Sequence, residues 1–200
     1  MKKKGCLYVA IGFVALILIL VLSGYSYYKH NYNTMINMQQ EVTGQWANVE
    51  NVYQRRADLI PNLVNTVKGA ANFEKETLTN VIEARSKATS VNIDAKNLTP
   101  QTFQQFQQAQ DGLSSALSRL MVVVERYPEL KANQNFLELQ SQLEGTENRI
   151  TVERKRFNDA VKEYNKYVMA FPRNIIFKFE EKPYFKATEG AEIAPKVDFN

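Results

Sequence analysis

The sequence predicts an all-α protein, with one N-terminal transmembrane helix followed by an elongated, up-and-down four-helix bundle and an extended C-terminal tail. Three observations predict this class: an uncharged apolar run near the N-terminus, a seven-residue apolar repeat in two long segments, and eight Gly and six Pro in 200 residues. So few Gly and Pro argue against a sandwich or a disordered chain. The predicted division is a basic N-terminus at 1–6, a transmembrane helix at 7–28, the bundle at 29–172 and the tail at 173–200.

The apolar run reads LYVAIGFVALILILVLSGYSYY and is long enough to cross a hydrocarbon core as a helix. A cleaved signal peptide is the competing interpretation, because Ser23 and Gly24 are small and three lysines precede the run. The run exceeds the usual length of a signal-peptide apolar region, which favours an anchor. The predicted anchor residues are Leu7, Ile11, Leu16, Leu20, Tyr25 and Tyr28.

Charges flanking the run predict the orientation of a single-pass protein in a bacterial cell membrane. Lys2, Lys3 and Lys4 lie on the N-terminal side, against Lys29 on the other side. Positive charge favours the cytoplasm, so we expect a cytoplasmic N-terminus and an extracytoplasmic bundle.

The first bundle helix is predicted from Met35, where core-type positions recur in alternating steps of four and three as far as Ala70. Pro61 falls inside this repeat and predicts a kink or a local break, since proline removes the hydrogen bond to residue 57. The fourth helix shows the repeat again, with aromatic and aliphatic residues seven apart from Phe136 to Phe171 and a stop at Pro172. We expect these two helices to run side by side.

Two shorter helices are predicted between the long ones. The first covers about 73–88. The second begins after Thr99, an N-cap followed by Pro100 at the first helical position, and is closed by Pro128. The tail after Pro172 is expected to pack on the bundle or to hang free.

Charged residues interrupt the apolar seams, with Arg56 in the first helix and Glu153 in the fourth. Because unpaired buried charges are costly, Arg56 or Arg55 is predicted to meet Glu147 or Glu153 in a partly buried ion pair that fixes helix register. Trp46, Tyr53 and Tyr164 occupy seam positions and are predicted to be core residues rather than a ligand platform.

Composition argues against several function classes. Three of the net +4 charges are Lys2 to Lys4, so the body is nearly neutral and nucleic-acid binding is not expected. Cys6 and His30 are the single residues of their types, which argues against a disulfide framework, a zinc cluster or a Cys/His nucleophile pair. No catalytic residue, metal or cofactor is predicted.

Several separated motifs resemble the LemA family. These are YQRRADLIPNLV at 53–64, VKGA at 67–70, ERYPELKANQNF at 125–136, LQSQLEGTENRI at 139–150 and RFNDAVKEYN at 156–165, with a weaker match to the tail motif PKVDF. The resemblance implies an N-terminal span and a helical bundle but no enzymatic activity or cofactor. One relative is associated with building membrane organelles in magnetic bacteria. Descriptions of the family place the N-terminus outside, opposite to the orientation that the flanking charges predict.

The resemblance and the interrupted seams together predict a polar network between helices, or the edge of a groove for a partner. The candidate residues are Arg55, Arg56, Asp58, Asn62, Glu144, Glu147, Asn148, Arg149 and Glu153.

The function favoured at this point is a non-enzymatic, membrane-anchored scaffold or adaptor that binds other proteins at the cell envelope. Its predicted partners are the lipid bilayer and unidentified proteins, and a homo-oligomer is left open. One alternative is a sensor in which ligand binding is coupled to the transmembrane helix through a hinge at Pro61. Another, less favoured, is a hydrolase using Glu147 and Glu153 as its carboxylates.

Overall fold

The computed structural model describes residues 2–69, 73–91, 93 and 98–186, and in these ranges it contains helices and no strand. This confirms the predicted all-α class. The two long helices α1 and α5 lie side by side, as predicted, and α2 packs on α3. The helices are α1 Lys2–Lys68, α2 Lys75–Ser90, α3 Pro100–Val124, α4 Pro128–Lys131, α5 Gln134–Met169 and α6 Arg173–Ile176.

Helix α1 joins the apolar run to the bundle without an intervening loop. Every residue from Ile11 to His30 is exposed, whereas burial begins at Asn31 and Met35. An apolar helix surface exposed on all sides fits lipid rather than water, and the run is long enough to span a membrane. Of the predicted anchor residues, Ile11, Leu16, Leu20, Tyr25 and Tyr28 lie on this surface, while the side chain of Leu7 lies outside the described residues.

Helix α1 is also continuous through Pro61, so of the predicted kink or local break, the break is wrong. Proline has no N–H to donate to the carbonyl of Ala57. Instead, Nε of Arg85 on α2 donates to that carbonyl at 2.7 Å. The Ala57 carbonyl, which proline leaves without a donor in its own helix, is therefore hydrogen-bonded by a side chain of α2. This hydrogen bond is a contact between α1 and α2.

Side-chain caps mark the starts of α3 and α5. Thr99 Oγ1 accepts a hydrogen bond from the Thr102 N–H at 3.2 Å, as its predicted N-cap role requires, and Asn133 Oδ1 accepts from the Phe136 N–H at 3.1 Å. Pro128 does not follow α3 directly but begins the single turn α4. Helix α2 starts and ends two residues later than predicted.

Residues 177–186, here called the C-terminal strap, lack regular secondary structure and pack along α5. Asn165 accepts from the N–H of Lys182 and donates to its carbonyl, both at 2.9 Å. Asn158 makes the same pair of bonds to Phe185, also at 2.9 Å. Of the two predicted arrangements of the tail, this part adopts the packed one. The motif PKVDF lies outside the described residues.

The bundle has two apolar clusters stacked along its length. The cluster nearer the membrane span is aromatic, with Trp46 at its centre within 6.1 Å, centroid to centroid, of four phenylalanine rings, including Phe185 of the strap. The distal cluster is mainly aliphatic and surrounds Ile60 to Val67 of α1. Trp46, Tyr53 and Tyr164 are all buried, as predicted.

Candidate functional site

A set of hydrogen-bonded polar side chains lies between the two apolar clusters. Arg56 on α1 is 2% exposed and donates through Nη1 to Ser114 Oγ at 2.8 Å and to Glu147 Oε2 at 2.9 Å. Its Nη2 donates to Gln110 Oε1 at 2.7 Å and to the Gln110 carbonyl at 3.3 Å. We call Arg56, Gln110, Ser114 and Glu147 the polar layer.

The polar layer links all four bundle helices. Arg56 belongs to α1, Gln110 and Ser114 to α3, and Glu147 to α5. Gln110 Nε2 also donates to the carbonyl of Ala88 on α2 at 3.2 Å. A one-turn slip of any of these helices would leave a buried donor or acceptor unpaired, so the layer specifies register.

Three features lower the cost of burying the Arg56 charge. Four of the five guanidinium N–H groups are placed to donate, while Nε has no partner among the described residues. Glu147 is 54% exposed, so its carboxylate keeps much of its hydration while reaching inward to the cation. The guanidinium also lies 5.0 Å from the centroid of the Tyr53 ring.

Among the nine residues predicted from sequence, the structure brings Arg56 and Glu147 into contact. The Glu153 carboxylate is partly buried and accepts from Arg156 at 2.8 Å, not from Arg56 or Arg55. Asp58 accepts from Gln54 on its own helix, and Glu144 likewise from Gln140. The residues that lie exposed on α1 or α5, apart from the layer, are Arg55, Asp58, Asn62, Glu144, Asn148 and Arg149.

Sequence analysis missed Gln110 and Ser114, although a signal for the first exists. Gln110 lies four residues after Phe106 and three before Leu113, which is the spacing of the buried positions of α3. A glutamine at such a position needs a polar partner from another helix. Ser114 lies on the flank of that face and carries no comparable signal.

A pocket of about 240 Å³ opens beside the polar layer, between α1, the end of α2 and α3. Its lining includes Glu50, Tyr53 and Gln110. Burial raises the pKa of the Glu50 carboxyl, and the side chain of Trp46 opposes this to a smaller extent. Burial likewise raises the pKa of the Tyr53 hydroxyl, while the charges of Arg154 and Arg56 oppose it.

A groove of about 380 Å³ runs between α2 and α3 on the outer face of the bundle. Its rim carries charges of both signs, including Glu83, Lys87 and Arg119, and small residues such as Ala84 and Gly112 also line it. A Cβ added at Gly112 would meet nothing within 4 Å. The groove therefore has open space above Gly112 for a side chain of a partner. In the described part of the chain, no three His, Cys, Asp or Glu side chains cluster as a metal site.

Comparison with known proteins matches residues 45–199 to the model of the LemA family. Magnetosome protein MamQ 2 of Paramagnetospirillum magneticum is 27% identical, with 76% of this chain and 65% of that protein aligned. Protein LemA of Metamycoplasma hominis is 22% identical over 76% of this chain and 66% of its own length. Magnetosome protein MamQ of Magnetospirillum gryphiswaldense is 24% identical, with 77% and 64% aligned. The chain therefore spans about two thirds of the length of these relatives.

Proposed function

This chain belongs to the LemA family, and from that premise we propose that it is a non-enzymatic, membrane-anchored helical scaffold that binds other proteins at the cell envelope. In this proposal the bundle lies on the extracytoplasmic side, as the flanking lysines favour. The relatives named as magnetosome proteins support a role at a membrane structure.

The observation that carries the proposal is the continuity of α1 from the apolar run to the distal end of the bundle. At 1.5 Å per residue, the helix from Tyr28 to Lys68 is about 60 Å long. Because no flexible linker intervenes, a surface on the bundle is held at a fixed height and direction relative to the membrane. A scaffold needs such positioning, whereas an enzyme acting on a diffusing substrate does not.

The contacts of the candidate carboxylates favour binding over hydrolysis. Glu147 is bonded to Arg56, and Glu153 to Arg156. The two carboxylates belong to residues six positions apart on one helix, about 9 Å along its axis. Glu147 is paired with Arg56, while Glu153 bonds Arg156 through Oε1 and its Oε2 is buried without a partner among the described residues. The two carboxylates are therefore not presented together to a shared substrate atom.

The groove between α2 and α3 is the protein-binding surface in this proposal. Small residues let a partner helix approach closely, and rim charges of both signs suit a partner with an amphipathic, mixed-charge helix. To test it, a photo-crosslinking amino acid is placed at Asn80 in the full-length chain in its native membranes. We expect a discrete cross-linked species that Gly112→Gln reduces by at least several-fold.

The matched control is Gly145→Gln, on α5. Both glycines lie in helices, are exposed and have open space around an added Cβ, so both variants should fold. Cross-linking should survive Gly145→Gln. Equal loss with both variants, or the same background species with the cross-linker at Gln142 on α5, would contradict a binding role for the groove.

A sensor is the second candidate, and the pocket beside the polar layer favours it. A ligand there would touch Tyr53 on α1 and Gln110 of the layer, so its binding would bear on the helix that enters the membrane. A thermal-shift screen of small molecules on the full chain tests this. A compound that raises the Tm of wild type should raise the Tm of Gly44→Gln by the same amount. It should not raise the Tm of Ala88→Leu, because the larger side chain fills the pocket.

A further inference from the structure

Four large apolar side chains lie exposed where α5 ends and α6 begins. Phe171 is 78% exposed and Ile175 is 71% exposed, and Met169 and Ile176 complete the set, which we call the basal cluster. Such a concentration of exposed apolar side chains in a short segment is unusual on a surface facing water and generally marks a place of contact.

Hydrogen bonds fix the height of this cluster relative to the apolar run of α1. The Tyr167 hydroxyl donates to Asn31 Oδ1 at 2.9 Å, and Asn31 Nδ2 donates to the Tyr27 carbonyl at 2.7 Å. Because α5 runs antiparallel to α1, its C-terminal end at Met169 lies on the membrane side of Tyr167. Arg173 Nε donates to the Tyr167 carbonyl at 2.8 Å, which keeps α6 at this end of the bundle. Phe177 follows α6 and is buried, with its ring centroid 5.1 Å from that of Tyr28.

The rise along α1 indicates the height of the basal cluster relative to the end of the apolar run. Asn31 lies three residues beyond Tyr28, or about 4.5 Å along the helix. The polar layer on each side of a bilayer is about 5–7 Å thick. If the apolar run ends at the hydrocarbon boundary at Tyr28, Tyr167 lies within the headgroup layer, and the residues that follow it reach the boundary.

The charges near the cluster complement a phospholipid surface. Residues 1–40 contain no Asp or Glu, and neither do residues 164–179. Lys29, Arg173 and Lys178 flank the cluster in these two segments. The guanidinium of Arg173 stacks 3.8 Å from the centroid of the Tyr167 ring, which holds this cation at the base of the bundle. Such a combination of exposed apolar and basic side chains is typical of interfacial membrane contacts.

We propose that the basal cluster inserts into the interfacial layer of the bilayer beside the transmembrane helix and forms a second membrane contact of this chain. Phe171, Ile175 and Ile176 then meet the upper acyl chains, while the nearby cations meet lipid phosphates. Attachment at two points restrains the tilt and rotation of the bundle, which a single helix leaves free. The inference requires the span to cross a membrane but is independent of the scaffold function.

The test uses the full chain with Cys6→Ser, reconstituted into phosphatidylcholine vesicles containing phosphatidylglycerol. An environment-sensitive fluorophore is attached at Ile175→Cys, and phospholipids spin-labelled near the top of the acyl chain serve as quenchers. We expect blue-shifted emission and quenching at least several-fold stronger than for a label at Val122→Cys. Val122 is the matched control because it is apolar and also 71% exposed, but it lies in the distal half, about 50 Å away along α1.

Two outcomes would overturn the proposal. One is lipid quenching at residue 175 no stronger than at residue 122. The other is a blue shift that depends on the protein-to-lipid ratio without lipid quenching, which would show a second copy of the chain covering the cluster. Adding Phe171→Asp and Ile176→Asp should bring quenching at residue 175 down to the control level, whereas Leu137→Asp, at an exposed apolar position on α5, should not.

Discussion

At the scale of single residues, Arg56 holds four helices together through side-chain contacts that local sequence does not supply. Its partners come from α3 and α5, and Gln110 extends the contact to α2. A guanidinium suits this position because its planar fork reaches several acceptors at fixed angles. The layer therefore exchanges some apolar burial for a defined register.

Substitutions at Arg56 are expected to destabilise the bundle strongly. Arg56→Ala should cost about 3 kcal/mol or more, because Gln110 and Glu147 lose a buried partner. Arg56→Lys should cost about 2 kcal/mol, since an ammonium cannot reach all three side chains at once. The half-exposed partner matters less, so Glu147→Gln should cost about 1 kcal/mol or less. Urea unfolding of the full chain in detergent micelles measures each value.

Arg55→Ala is the control for these variants, because Arg55 is the adjacent arginine on the same helix and is exposed. Its effect should stay within about 0.5 kcal/mol of wild type. Similar losses for Arg55→Ala and Arg56→Ala would mean that the polar layer does not set stability.

The pair Arg56 and Glu147 could be predicted because Arg56 interrupts a heptad seam and needs a carboxylate on the facing helix. The sequence could not choose between Glu147 and Glu153. Glu153 occupies the inward position by spacing, yet Glu147 on the flank of α5 reaches Arg56 while remaining hydrated. The choice depends on the rotation of α5 about its axis, which local periodicity does not determine to within one residue.

Glu50 gives the bundle a pH dependence of defined sign. Burial raises its pKa above the ordinary value of 4.5, so the folded state holds this proton more tightly than the unfolded state does. Its contribution to stability is fully present below pH 4.5 and is lost as pH rises through the folded-state pKa. Glu50→Gln should therefore have a higher Tm than wild type at pH 7, and the difference should shrink as pH falls toward 4.5. A thermal unfolding series over pH in micelles checks this, with Glu138→Gln at an exposed position of α5 as the comparison variant.

At the scale of elements, Pro61 and Arg85 act together. Proline leaves the Ala57 carbonyl of α1 without a donor in its own helix, and Arg85 of α2 donates to it instead. A kink or a local break was predicted at Pro61, and the break is wrong. That prediction counted hydrogen-bond partners within the helix and could not include a donor from a helix elsewhere in the sequence. The start of α3 was predictable for the opposite reason, because the cap and the proline at Thr99 and Pro100 are local.

A double-mutant cycle measures this coupling. Arg85→Met should cost about 1–3 kcal/mol, because it leaves the Ala57 carbonyl without its donor. In a Pro61→Ala background the new N–H at residue 61 can bond that carbonyl, so the same Arg85→Met change should cost less. Lys87→Met, on the exposed side of α2, should instead be additive with Pro61→Ala. Additivity of Arg85→Met as well would mean that proline does not create the contact.

The C-terminal strap shows what periodicity cannot predict. Asn158 and Asn165 are seven residues apart on α5, and each pairs with both backbone groups of one strap residue. In sequence they resemble ordinary polar helix positions, because their partners carry no side-chain signature. Phe185 completes the aromatic cluster around Trp46, so a segment expected either to pack on the bundle or to hang free contributes to the core.

At the scale of the whole molecule, one helix forms both the membrane span and the first helix of the bundle. The orientation of the span therefore decides on which side of the membrane every bundle surface lies. The flanking charges predict the extracytoplasmic side, with Lys2 to Lys4 against Lys29. With Cys6→Ser, a single cysteine at the exposed position Val122 should react with a membrane-impermeant thiol reagent in intact cells. The control is a cytoplasmic protein with an exposed thiol, which should remain unlabelled until the cells are lysed.

A charge variant tests the physical cause of that orientation. Replacing Lys2, Lys3 and Lys4 with glutamine removes the charge difference that holds the N-terminus inside, so Val122→Cys should lose much of its labelling in intact cells. Lys155→Gln, Lys162→Gln and Lys166→Gln together remove the same charge from α5, far from the N-terminal flank, and labelling should persist. Protection of Val122→Cys in the otherwise unaltered chain would instead place the bundle in the cytoplasm. The groove between α2 and α3 would then face cytoplasmic proteins, and the basal cluster would meet the inner leaflet.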